Sequence, residues 1–210
     1  MSEKGTRRAL PEDFKLKYVL DYAHDAKLQR AFTIGSLVLA ILMALLMHAA
    51  HPFQMDLTSD TAGLNTIYAL VLLVGSVWLL GHVRGLLHGL ALKLFSNKTG
   101  SKVKFHIRLG GTSAWMPECY YSKGAYMAVL LLPMILCIGL LCVPLFFLGD
   151  PWFWAVYLVQ IINVSAYFRD ILAVYFLYGL PEMYLLLDNG MLLKVYWPDG
   201  AQPKQKKELF

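Results

Sequence analysis

The sequence predicts an α-helical polytopic membrane protein: four transmembrane helices, a small cytoplasmic β-hairpin and a C-terminal β-hairpin. Three observations predict it. Of 210 residues, 58% are hydrophobic and only 16% charged, where soluble domains run near half and a quarter. The apolar residues collect in long blocks, the pattern of segments whose solvent is lipid. The basic residues are placed asymmetrically. Of 19 Lys and Arg, seven lie in the first 30 positions, six between Lys93 and Lys123 and four from Lys194 onward, while 51–63 and 149–151 hold none. That distribution puts both termini and the largest loop on the cytoplasmic side.

Residues 1–31 are expected to form a cytoplasmic N-terminal segment. Pro11-Glu12-Asp13 suits a helix start, and Phe14, Tyr18, Val19, Tyr22 and Ala26 recur at helical spacing among basic residues. The expectation is a juxtamembrane helix on the anionic inner leaflet. About thirty polar residues precede Phe32, too many for the charged end of a signal peptide. The first apolar run, roughly 32–50, therefore reads as a retained span. Span two, about 64–95, is too long for a perpendicular helix and either tilts or emerges as a soluble stub.

Between 103 and 116 the pattern changes. Val103, Phe105, Ile107 and Leu109 alternate with Lys104, His106 and Arg108 before Gly110-Gly111, which reads as a hairpin. Span three, about 124–148, carries Pro133 and Pro144, which membrane helices accommodate. Span four, about 152–180, stops at Pro181. A second hairpin is expected around Asp188-Asn189-Gly190, and Trp152, Trp154 and Trp197 are expected at the membrane interfaces. A membrane domain over 32–197 and a polar tail over 198–210 complete the division.

Two classes of partner fall away early. The net charge of +5 comes without an interleaved aromatic and basic stripe for stacking bases, so nucleic acid is not expected. Cys119, Cys137 and Cys142 have neither disulfide-framework nor metal-site spacing. The lipid bilayer is the partner the composition itself demands.

Charge within an apolar span costs about 2.5–3.5 kcal/mol by insertion scales, so each such residue is a candidate for function. Span two holds His82, Arg84 and His88; span four holds Asn163, Arg169 and Asp170. Arg84 and His88 are four apart and share a helix face, with His82 well around the helix. Asn163 and Asp170 share a face of span four. Arg84 and Asp170 each lie roughly 15 Å from the inner end of their span, so Arg84, His88 and Asp170 can meet at one level. Arg169 is expected on another face or toward the inner surface, with an ion pair within the bundle as the alternative. Gly81, Gly85 and Gly89 form a ladder on span two, the pattern of close helix packing. His48 and His51, at the outer end of span one, read as interfacial.

Arg84-Gly85-Leu86-Leu87-His88-Gly89-Leu90 resembles the HExxH-Gly-Leu motif of a bacterial family of membrane zincin peptidases similar to site-2 proteases. The order of elements over about 60–197 agrees: a cytoplasmic hairpin after the motif helix, a span with a Leu-Pro step at Leu132-Pro133, then a span supplying an Asn and a ligand Asp, here Asn163 and Asp170. The resemblance implies a zinc peptidase, but the motif is broken. A zincin needs two His at i and i+4 and a Glu after the first to activate water. Arg84 stands at the first His and Gly85 at the Glu, and arginine has no lone pair to give a metal. Catalytic zinc wants three protein ligands, so neither zinc nor a catalytic residue is expected.

Without zinc, Asp170 would be a buried anion lacking a counter-charge, and Arg84 can supply one through a bidentate pair. The expectation is an Arg84–Asp170 ion pair, assisted by His88 or Asn163. The function that follows is a non-catalytic pseudoprotease that binds a membrane protein or peptide partner. Its rivals are an active metalloprotease with a rearranged site, drawing on His82 or His106, and a small transporter with a polar path.

Overall fold

The computed structural model describes residues 6–22, 24–52, 62–96, 100–149, 152–190 and 192–199. Four helical stretches are long and apolar enough to cross a membrane: Ala26–Ala50, Gly63–Phe95, Lys123–Leu145 and Trp152–Tyr178. Helix α1 (Ala26–Ala50) begins at Asp25, whose carboxylate accepts from the amides of Lys27 and Leu28 at 2.8 and 3.2 Å, satisfying two donors that a helix start leaves open. Leu28 is its one buried residue. Ile34, Leu37, Val38 and Leu45 stay outward, as an apolar helix does when lipid rather than protein covers it.

Helix α2 (Ala62–Phe95) is about 51 Å long at 1.5 Å per residue, so it extends well past a hydrocarbon layer of about 30 Å. Helix α3 (Lys123–Leu145) carries Pro133 and Pro144. The fourth stretch is two helices. Helix α4 (Trp152–Ala166) and α5 (Phe168–Tyr178) are separated at Tyr167, whose amide reaches back only three residues, to Val164 O at 3.0 Å. A single continuous span four was expected; the break changes how Asn163 and Asp170 relate.

Six strands accompany the helices: β1 (Phe14–Asp21), β2 (Lys104–Arg108), β3 (Gly111–Trp115), β4 (Tyr121–Ser122), β5 (Leu185–Asp188) and β6 (Leu192–Pro198). Strands β2 and β3 make the expected first hairpin, β5 and β6 the second. The second belongs to a four-stranded sheet, β1-β6-β5-β4. The juxtamembrane helix is therefore wrong. Residues 14–21 are a strand paired antiparallel to β6 from Phe14↔Pro198 to Asp21↔Leu192. Phe14, Leu16, Tyr18, Leu20 and Tyr22 alternate with Lys15, Lys17 and Asp21, the strand period; the interval of four from Phe14 to Tyr18 to Tyr22 fits a helix as well, and pairing with β6 decides for the strand. The tail beyond 199 lies outside the described residues.

The main core sits where this sheet meets the ends of α2, α3 and α5: Leu92, Met116, Tyr121, Tyr126, Leu177, Leu186 and Val195 are almost fully enclosed. Lys123, at the start of α3, donates to Tyr178 O and Leu180 O at 3.1 and 2.7 Å, closing the C-terminal end of α5. A smaller cluster of Trp154, Tyr157 and Ile161 packs against Met43 and Met47. Trp154 and Trp197 are buried in these clusters. His51 stacks on Trp154 and meets Phe153 edge-on, at 6.4 and 4.6 Å between ring centres.

The glycine ladder has a different partner from the one expected. Strand β3, not another helix, runs along it. A Cβ at Gly81 would meet Gly110 O at 2.8 Å, one at Gly85 would meet Thr112 O at 1.9 Å, and one at Gly89 would meet Ala114 Cβ at 3.1 Å. Four helical residues rise about 6 Å and two strand residues about 6.6 Å. Glycines four apart on the helix thus fall opposite residues two apart on the strand.

Candidate functional site

Arg84 and Asp170 meet. Arg84 Nη2 donates to Asp170 Oδ2 at 2.6 Å. The same guanidinium donates from Nη1 to Ala166 O at 2.8 Å and lies 4.0 Å from the centre of the Tyr167 ring. Ala166 is the last residue of α4, and terminal carbonyls lack an intrahelical partner. The break at Tyr167 thus presents one carbonyl, one ring face and one carboxylate to a single cation. A planar fork of donors can satisfy all three.

Arg169 is not turned away. Its Nε lies 3.5 Å from Asp170 Oδ1, and its guanidinium is 5.4 Å from the Tyr22 ring centre. Asp170 therefore sits between two arginines. The expected assistance from His88 or Asn163 does not occur: both border the same cavity, but among the described residues neither hydrogen-bonds the pair. Asn163 Nδ2 donates to Gln160 Oε1 at 3.4 Å. His82 Nδ1 is 2.9 Å from Thr112 Oγ1, which turns it toward β3, and His106 lies on the exposed strand β2.

The cavity measures about 860 Å³ and is bordered by Phe32 and Ser36 of α1, Leu80 to His88 of α2, Gly110 to Ala114 of the hairpin, and Ile162 to Ala173 of α4 and α5. Tyr22 and Phe32 flank the start of α1, so the site lies level with the polar-to-apolar change on that helix. From Gly63 to Arg84 is about 31 Å of helix, one hydrocarbon thickness.

Asp188 and Tyr126 also face this cavity and were not singled out from sequence. Tyr126 Oη donates to Asp188 Oδ2 at 2.7 Å, and Gly190 N donates to Oδ1 at 2.7 Å. Gly190, at φ +86, makes the turn possible. Asp-Asn-Gly announced a turn; that its aspartate is buried was not legible, because burial depends on α3 arriving beside β5. Burial, reinforced by Asp188, pushes the Tyr22 hydroxyl well above its ordinary range.

A zincin site does not fit these residues. Among the described residues no group of three His, Cys, Asp or Glu is placed to hold a metal ion. Arg84 occupies the first ligand position with its donors bound to Asp170 and Ala166. At position 85, where the general base would stand, the Thr112 carbonyl occupies the space of a Cβ. Gly85 is there because β3 leaves room for nothing else.

Comparison with known proteins gives one match. The family described as "Putative zincin peptidase" matches residues 77–185, more than half of the chain. That stretch includes the motif helix from Val77, both hairpin strands β2 and β3, α3, α4 and α5. No curated protein and no solved structure matches. Carried by that match, the chain belongs to the Putative zincin peptidase family.

Proposed function

We propose that this chain is a non-catalytic membrane pseudoprotease, a zincin-peptidase scaffold that binds a membrane protein or peptide partner without cutting it. One observation carries the reading. The first ligand position holds an arginine bonded to the very carboxylate that would be a metal ligand, at 2.6 Å. A cation already neutralises Asp170, and a second, divalent one would be repelled. The closed space beside Gly85 supports the same reading, since no residue there could polarise water.

The charge distribution supports both termini on the cytoplasmic side, and the resemblance to a bacterial family supports a bacterial plasma membrane. Strand β2 supports a partner. All five of its residues are exposed, one edge pairs with β3, and its other edge has no strand beside it among the described residues. An open edge accepts an extended segment through main-chain hydrogen bonds, and the exposed Ile107 and Leu109 offer it apolar contact.

Protein purified from its native membrane, loaded with excess zinc and desalted, should retain far less than one zinc per chain. Stoichiometric metal, or peptide cleavage abolished by a chelator, overturns the reading. A photo-crosslinker at Leu109 should trap a defined protein; labelling of lipid alone would count against a protein partner.

A further inference from the structure

We infer that the cavity beside the Arg84–Asp170 pair holds an anionic phospholipid, its phosphate among Arg108, Arg169 and Tyr22 and its acyl chains in the cleft between α1 and α2.

The charge of the cavity points to an anion. Three arginines border it, Arg84, Arg108 and Arg169, against two carboxylates, Asp170 and Asp188. Asp170 is shared by Arg84 and Arg169, and Asp188 is satisfied by Tyr126 and Gly190. Arg108 makes no ion pair among the described residues, and Arg169 holds its carboxylate only at 3.5 Å with its side chain half exposed. The Tyr22 hydroxyl is enclosed, borders the cavity and has no hydrogen-bond partner among the described residues. A donor kept from water without an acceptor is costly. A phosphate oxygen would supply the acceptor while taking charge-assisted bonds from the guanidinium groups.

The shape of the cavity selects a lipid over a free anion. Helix α1 packs on α4 and α5, and α2 packs on α3, α4 and β3, so α1 and α2 stand on either side of α4 with the cavity between them. Apolar side chains share its walls with Thr33, Ser36 and Asn163: Phe32 on α1, Val77 and Leu80 on α2, Val159 and Ile162 on α4. Ile162 is 42% exposed although α4 is the central helix. The cleft is therefore open beside Ile162. The polar end lies beside the start of α1, where that helix changes from polar to apolar residues. A basic pocket between transmembrane helices is the recurring form of an anionic headgroup site. The lipid would be held whether or not the chain cleaves peptides.

Native mass spectrometry of the full chain, released from detergent and titrated with phosphatidylglycerol or with phosphatidylcholine of the same acyl chains, tests this. One phosphatidylglycerol should bind per chain, about tenfold more tightly than phosphatidylcholine. Arg108→Gln should lower phosphatidylglycerol affinity roughly tenfold and leave phosphatidylcholine unchanged. Lys104→Gln, on the same strand but outside the cavity, should change neither. Equal affinity for the two lipids, an unaffected Arg108→Gln protein, or an equal loss in Lys104→Gln overturns the proposal. Displacement of the lipid by millimolar inorganic phosphate would assign the site to a free anion and overturn it too.

Discussion

Replacing Gly85 by alanine adds one methyl group where the structure has no space for it. The new Cβ would lie 1.9 Å from Thr112 O, 2.5 Å from its carbonyl carbon and 2.8 Å from its Cβ, whereas ordinary contact begins near 3.4 Å. Both partners are backbone, helix on one side and strand on the other, so a rotamer change cannot relieve the overlap. The hairpin must move by an ångström or more. Overpacking of this kind costs typically about 1–3 kcal/mol, while alanine gains up to about 1 kcal/mol over glycine in a helix interior. Gly75→Ala isolates the second effect, because a Cβ there meets nothing within 4 Å. The two substitutions should act with opposite sign. For a chain of this size 1 kcal/mol is worth about 2–4 °C in Tm, so Gly85→Ala should melt roughly 4–10 °C below Gly75→Ala in the same detergent. Tryptic cleavage at Lys104 or Arg108 should also accelerate in Gly85→Ala as β2 and β3 lift from α2. A Gly85→Ala protein as stable as Gly75→Ala, with unchanged cleavage, would refute the packing of β3 on the glycine face and with it the account of the missing base.

Arg84→Gln leaves Asp170 partly uncompensated. Arg84 is 23% and Asp170 12% exposed, so the loss should be about 2–4 kcal/mol, somewhat under that of a fully buried pair. Adding Asp170→Asn should recover much of it in a double-mutant cycle by chemical denaturation, and simple additivity would deny the coupling. Arg84→His combined with Gly85→Glu restores the zincin motif in sequence, yet a peptide-cleavage assay with added zinc should find no activity, because β3 excludes the glutamate that would activate water; cleavage abolished by a chelator would show that the hairpin yields. Alkaline stability gives a further readout. Burial raises the hydroxyls of Tyr22 and Tyr121, so the folded chain keeps protons that the unfolded chain releases from about pH 10 upward. Their contribution is present below that pH and lost as pH rises above it. Tyr121→Phe should therefore flatten the fall in denaturation midpoint between about pH 9 and 11, and an unchanged slope would contradict it.

The sequence spoke clearly where a residue's role depends on its own neighbours in the chain. Four apolar blocks gave four long helical stretches, the last broken at Tyr167, and alternation around Gly110-Gly111 and the Asp188-Asn189-Gly190 turn gave two hairpins. The Arg84–Asp170 contact was also legible, because two opposite charges in apolar surroundings have few other partners. Readings that depended on what packs where fared less well. The glycine ladder signals a close approach, and the sequence cannot say whether a helix or a strand makes it. Residues 14–21 satisfied both a helical and a strand period, and only pairing with β6, over 170 residues away, chose between them. Arg169 was expected on another face, but its long side chain reaches back to its neighbour Asp170, 3.5 Å away, which helical spacing does not show. Nothing local marks the break at Tyr167: neither glycine nor proline lies between Trp152 and Tyr178.

The break and the arginine make best sense together. A metal bound to Asp170 would interact with the carboxylate and leave the Ala166 carbonyl to find another donor. A guanidinium has five donors spread over a plane, and here one edge meets the carboxylate while another meets the carbonyl, with the Tyr167 ring against its face at 4.0 Å. Arg84 thus does more than replace a lost positive charge. It caps α4, fixes the direction in which α5 leaves, and holds α2 against both. Lysine at 84 would keep the charge but offer a single compact ammonium without the fork. If the capping argument is right, Arg84→Lys should retain part of the ion pair yet loosen the junction, seen as faster amide exchange at 166–171 with little change at 152–160. Equal protection across α4 and α5 in that variant would reduce Arg84 to a counter-ion and remove the reason for its geometry.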